Sequence, residues 1–429
     1  MSSSPHPFAY RQFRLFWASR LCSTLAQNGM VVVIGWQVYD TARRSLSIEA
    51  SSMRLGLVGL AQFLPLFALT MVAGWAADHL DRRRIAQCAS GLQLVAAAVL
   101  AVLSLRPVVP SPALFGVAVA LGIARAFSNP ATNAIAPNLV PVAVLPRAIA
   151  TNAIAGRVGG ILGPALAGFL YAWKPALPHA VNVVLLASSV IAMGLLQSIP
   201  RGVVPGLQTP WRRMVEGLHY VRNNSLVLGA ISLDLFAVLL GGATAMLPVY
   251  AHDILHIGPA CLGHLRAAPA VGAMATALWF SVRPLRNRVG IKMLGAVVVF
   301  GIATTAFGLS RWVPLSLACL VLLGAADMFS VFVRQSLIQM STPDHMRGRV
   351  GAVSGLFISA SNELGEAESG FLSAAVGPVA AVVAGGIGSI AIALFWARLF
   401  PALRQAHQFG EPTGAQITTS AKVPGPKTS

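Results

Sequence analysis

Charge is scarce in this chain. Only 10% of its 429 residues are Asp, Glu, Lys or Arg, against roughly 25% in a typical soluble domain. With 56% hydrophobic residues beside that scarcity, a soluble globular protein is excluded. Acidic residues are the rarest charge, 13 against 31 basic ones, leaving a net charge of +18. In water such an excess would point to nucleic acid. In an apolar chain it belongs to short loops that fix membrane orientation, so no nucleic-acid partner is expected. Cysteine is sparse as well: Cys22, Cys88, Cys261 and Cys319 stand singly, with no CxxC or metal spacing. No Gly-rich GK[ST] loop is present, which argues against direct ATP drive. No Ser-His-Asp or metal-ligand constellation stands out, so neither an enzyme nor a cofactor or metal site is expected. The N-terminus, MSSSPHPFAYRQFR, has no apolar core before a cleavage site. The first apolar segment is therefore expected to stay as a membrane span.

Long apolar runs fill the rest. A bilayer core of about 30 Å needs about 20 apolar residues per helix. Such stretches fall at 14–39, 54–77, 85–105, 112–137, 147–172, 178–199, 226–250, 262–282, 291–310, 313–340, 348–375 and 378–400. They predict an all-α membrane protein of twelve transmembrane helices. With the N-terminus inside, the inner segments hold 20 Lys and Arg and the outer loops 6, counted along the sequence. That bias places both termini in the cytoplasm.

The chain repeats itself at an offset of 202 residues. Leu162–Leu170 read LGPALAGFL and Leu364–Leu372 read LGEAESGFL, with six of nine identical. The match runs without a gap from Arg125–Leu170 onto Asp327–Leu372. Two six-helix bundles follow: residues 1–199 and 226–400. Residues 200–225 are the expected cytoplasmic linker, with Trp211, Met214, Val215, Leu218 and Val221 on one helical face. Residues 401–429 form an expected disordered cytoplasmic tail rich in Pro, Gly, Thr and Ser.

The copies differ where charge enters. Pro164 in the first becomes Glu366 in the second, Leu166 becomes Glu368, and Arg125 becomes Asp327. A charge inside a span costs about 2.5–3.5 kcal/mol on the insertion scale and usually faces a cavity or a partner. Arg125, Arg157, Asp234, Asp327, Arg334, Glu363 and Glu366 are such residues. Arg20 and Arg266 lie near span ends, where a long side chain can reach the interface. Glu363 and Glu366, three apart, share a helix face, whereas Glu368 turns about 200° away from Glu366. Two carboxylates so close resist being ionised together. That suits a site that binds and releases a proton, with Asp234 as the next candidate. Ion pairs with Arg125, Arg157 or Arg334 that only hold helices together remain the alternative.

The inner loop between spans two and three reads GWAADHLDRRRI from Gly74 to Ile85. Its Gly74, Asp78 and basic run Arg82, Arg83 and Arg84 resemble the signature loop of the major facilitator superfamily, from which it departs at His79, where a basic residue is usual, and at Asp81, where a Gly is usual. Gly159, Gly163, Pro164 and Gly168 in span five resemble the Gly-Pro motif of its exporters. Arg125 sits where many proton-coupled members carry a membrane-buried Arg. Phe13–Arg20, RVGGILGPALAGFL and the Pro343–Gly348–Arg349 turn are similar to the bacterial branch that includes enterobactin exporters. The resemblance implies the two-bundle major facilitator fold and proton-driven export of a siderophore or drug-like molecule. It further implies a bacterial inner-membrane location, no cofactor beyond the proton gradient, and a chain acting as a monomer in lipid. Proton-coupled uptake of a small solute, or a non-transporting membrane sensor, are the rival readings. Gln27, Asn28, Gln62, Phe127, Asn133, Phe236, Gln335 and Asn362 are candidates for a mixed polar and aromatic substrate cavity.

Overall fold

A computed structural model describes residues 6–106, 108–197, 210–283, 285 and 287–406. Among them no strand occurs. The long helices are α1 (Arg11–Arg43), α2 (Ile48–His79), α3 (Arg82–Leu103), α4 (Ser111–Ile135), α5 (Leu145–Trp173), α6 (Leu177–Gly194), α7 (Pro210–Asn223) and α8 (Ser225–Leu240). The single-turn α9 (Leu247–Val249) follows, then α10 (Pro259–Val282), α11 (Val289–Leu309), α12 (Val313–Ser341), α13 (Asp344–Val376), α14 (Pro378–Leu399) and the short α15 (Pro401–Arg404). Local chemistry sets the ends. Ser47 caps α2 through the Ala50 amide, Asp81 caps α3 through the Arg83 amide, and Asn224 caps α8 through the Val227 amide. Gly377, at φ +86°, makes the turn between α13 and α14 that a residue with a Cβ would resist.

Ten segments among the described residues are long and apolar enough to cross a membrane. The two other predicted spans are α1 and α13, each 33 residues and thus amply long. Both are more polar than the rest. The span of α13 contains Glu363, Glu366 and Glu368, and that of α1 contains Arg14, Arg20, Gln27 and Asn28. Their polar residues have a place to go, as the cavity below shows.

Span seven departs from the continuous helix expected over 226–250. Helix α8 stops at Leu240, and Gly241 and Gly242 lead into a 3-10 turn at Ala243–Met246. Helix α9 and a π-turn at Tyr250–Ile254 complete it. Two glycines followed by Pro248 cannot sustain an α-helical ladder. A Cβ on Gly242 would sit 2.6 Å from the Gly365 carbonyl oxygen, so the break also admits α13.

The repeat shows in the packing. Helix α2 lies along α13 and α5 lies along α10, pairing elements from the two halves of the sequence. The first pair touches at Gly56 and Gly370, the second at Gly168 and Gly263. Small residues at these points let backbones meet. Helix α7 packs Met214 and Val221 beside Val350 and Val353 of α13, while Val215 and Leu218 stay exposed. The Trp211 side chain, residues 200–209 of the expected linker and residues 407–429 of the expected tail lie outside the described residues.

Candidate functional site

A cavity of about 420 Å³ opens between the halves. Its wall comes from α1, α2, α4 and α5 on one side and from α8, α10, α11, α12 and α13 on the other. Gln27, Asn28, Gln62, Arg125, Arg157, Asp327, Asn362, Glu363 and Glu366 all line it. The pseudo-equivalent Arg125 and Asp327 thus reach one space from different halves.

Two ion pairs cross this space. Arg125 Nη1 lies 2.5 Å from Glu363 Oε1, joining α4 to α13. Arg266 Nη2 lies 3.1 Å from Glu366 Oε1, joining α10 to α13. Arg266 also donates to the Thr244 carbonyl at 2.8 Å, an oxygen freed by the break in span seven. Irregular backbone at membrane depth is tolerated where it lines such a cavity. Arg266, near its span end in the sequence, thus turns inward rather than toward the interface. Glu363 is the deeper carboxylate, its side chain 5% exposed against 25% for Glu366. Glu368 is absent from the wall and accepts from the Ser369 hydroxyl. Asp234 and Arg334 pair with each other inside the second half, both buried, beside a small pocket that Asp327 also lines.

Four aromatic and amide candidates lie elsewhere. Phe127 packs with Leu66, Leu69 and Ala73. Phe236 is 39% exposed and lies against Trp396 at 5.3 Å between ring centroids. Asn133 and Gln335 are not among the wall residues. Phe300, not singled out from sequence, is the ring that lines the cavity.

The loop motif is bonded into its own half. Arg82 Nε donates to the Ala77 carbonyl at 2.9 Å and Nη1 to that of Ala134 at 3.4 Å. Arg83 donates to the Leu196 carbonyl, and Asp81 lies within ion-pair reach of Arg83 and Arg84. A side chain added at Gly74 would meet nothing within 4 Å. The Asp78 side chain lies outside the described residues. In the Gly-Pro motif, Gly159 and Gly163 face α1, Gly168 faces α10, and Pro164 is buried within α5. A Cβ on Gly163 would sit 2.7 Å from the Leu25 carbonyl oxygen.

A second cluster, not foreseen from the sequence, sits at the C-terminal end of α1. Asp253, in the π-turn, takes a hydrogen bond from Tyr39 Oη at 2.5 Å and from Arg43 through Nε and Nη2 at 3.0–3.2 Å. His252 Nδ1 is 3.2 Å from Asp253, and its Nε2 is 3.8 Å from Asp40. Charge and hydrogen bonds therefore tie the halves at that end. The single sequence signal was acidic residues near predicted loop ends; their pairing depends on the π-turn.

Known proteins place this geometry. The chain is 27% identical over 379 residues to the multidrug efflux pump Tap of Mycobacterium tuberculosis, covering 84% of this chain and 88% of the relative. It is 25% identical over 420 residues to the enterobactin exporter EntS of Escherichia coli O1:K1, covering 95% of each. The fold matches the crystal structure of a D-xylose-proton symporter with a TM-score of 0.72, at 16% identity, over 91% of this chain and 98% of that one. It matches an inward-facing, occupied bacterial homologue of the lysosomal transporter Spinster with a TM-score of 0.68, at 17% identity, over 94% and 99%. With the family model for transmembrane secretion effectors matching residues 2–413, the charged cavity and its paired halves are those of a multi-pass membrane transporter, and the chain belongs to that family of the major facilitator superfamily.

Proposed function

We propose that this chain is a proton-coupled exporter of a bacterial inner membrane, moving a siderophore-like or drug-like small molecule outward by alternating access. The substrate classes follow from the relatives, a multidrug pump and an enterobactin exporter. Residues 1–199 and 226–400 act as the two rocking bodies, and the positive-inside bias puts the Arg82–Arg84 loop in the cytoplasm. On that orientation the Asp253 cluster and the Gly56–Gly370 and Gly168–Gly263 contacts close the outer side. The cavity then faces inward.

The carrying observation is the Arg125–Glu363 pair, which spans the two halves within the cavity. While ionised, Glu363 holds Arg125. A proton arriving from outside neutralises the carboxyl and frees the guanidinium, loosening one tie between the halves. On return to the inward state, Arg125 and entering substrate favour the ionised form, and the proton leaves to the cytoplasm. Each cycle exchanges an inward proton for an outward solute. The membrane potential supplies about 2.3 kcal/mol per charge per 100 mV. Glu366, held by Arg266 within its own half, tunes the charge at the same wall.

Everted membrane vesicles test this. With an acidified interior, they should accumulate ciprofloxacin or a catechol siderophore, and an uncoupler should abolish it. Accumulation indifferent to uncoupler, or found only in right-side-out vesicles, removes the exporter reading.

A further inference from the structure

The cavity carries more charge than its ion pairs consume. Arg125 is taken by Glu363, and Arg266 by Glu366. Arg157, on α5, and Asp327, on α12, line the same space from opposite halves. Among the described residues neither is part of an ion pair; Arg157 Nη2 meets only the Met328 sulfur, at 3.2 Å. A thioether is a weak acceptor, so the guanidinium keeps its donors. Arg157 is exposed and Asp327 half-buried, so both charges stand open to a solute entering the cavity.

A third wall residue carries an unpartnered atom. Gln62 is 3% exposed, and its Oε1 has no hydrogen-bond partner among the described residues. Buried acceptors are ordinarily satisfied, and this oxygen is covered, so a small turn of the amide is needed to offer it to a donor in the cavity. Among the described residues the wall is otherwise poor in rings: Phe300 is its single aromatic residue. Lipophilic cations are gripped by aromatic faces, which this wall does not supply.

We propose that the cavity takes a hydrophilic zwitterion, a small solute whose carboxylate or like anion meets Arg157 and whose ammonium meets Asp327, with an N–H or O–H for Gln62. The proposal rests on the transporter reading above and narrows it. A solute with one charge leaves the opposite wall charge unmet, and sites built for a polar group reject analogues that lack it.

The test is binding to the purified full chain in detergent, by titration calorimetry, with no transport needed. The probes are ciprofloxacin, which is zwitterionic; its methyl ester, a cation; its N-acetyl derivative, an anion; and tetraphenylphosphonium, a lipophilic cation. Ciprofloxacin should bind at least about tenfold more tightly than each of the others. Asp327→Asn should lower it to the level of the N-acetyl form, and Arg157→Gln to that of the ester. Equal or tighter binding of the ester or of tetraphenylphosphonium overturns the proposal, as does no binding of ciprofloxacin. The ligand comparison uses the unaltered chain, so it stands even where a variant fails to fold. Binding that survives while vesicle flux is absent would instead count against the exporter reading alone.

Discussion

Arg125 on α4 and Glu363 on α13 are held 2.5 Å apart across the cavity, and the two helices belong to different copies of the repeat. A link of this kind resists rocking as long as both groups are charged. Glu363→Gln should abolish uncoupler-sensitive accumulation in everted vesicles. Solute exchange without a gradient should persist, because the neutral side chain mimics the protonated state. Retained proton-driven accumulation in Glu363→Gln would refute this role, and Glu366→Gln measured in parallel separates the two carboxylates.

The tie at the far end of α1 predicts a shift in conformation. Tyr39 Oη and Arg43 both donate to Asp253. A hydrogen bond to a charged group contributes about 1.5–3 kcal/mol. Tyr39→Phe should therefore move the balance toward the outward-open state by roughly tenfold or more. Spin labels at Ser45 and His256 should report a longer distance in the variant. An unchanged distance distribution would show that this bond does not hold the gate.

Close backbone contact makes a steric prediction. A Cβ on Gly56 would sit 2.9 Å from the Ala367 carbonyl oxygen, whereas one on Gly74 meets open space. Gly56→Val should separate α2 from α13 at that point, destabilise the packed state by the ~1–3 kcal/mol typical of overpacking, and slow transport. Gly74→Ala should leave helix packing unchanged and should not lower the melting temperature. Equal behaviour of the two variants would contradict the packing.

Asp234 and Arg334 are buried together inside the second half. Removing one partner of such a pair leaves an uncompensated charge, at a cost of about 3–5 kcal/mol. Asp234→Asn should lower the melting temperature measured by fluorescence-detected size exclusion. The double change Asp234→Leu with Arg334→Met should recover most of the loss. A melting temperature that stays low in the double variant would assign Asp234 more than pairing.

The sequence by itself determined the class of this protein. Apolar runs of span length, few charges and a basic bias at alternate loops depend on local composition, and the bilayer enforces them whatever the tertiary packing. The repeat at 202 residues and the loop at Gly74–Arg84 carried the family. It also flagged Glu363, Glu366, Arg125, Arg157 and Asp327, because a charge within a span needs a reason. Tertiary structure alone decided which arginine meets which carboxylate. Arg266, near a span end by sequence, reaches Glu366 because the broken span seven gives it the Thr244 carbonyl. Arg334 turns to Asp234, leaving Arg125 to Glu363. The Tyr39–Asp253 contact joins residues 214 apart and exists only because a π-turn aims Asp253 at α1. Ion pairing depends on distances of a few ångströms between helices, and one-dimensional spacing fixes angles along a helix but not which helix lies opposite.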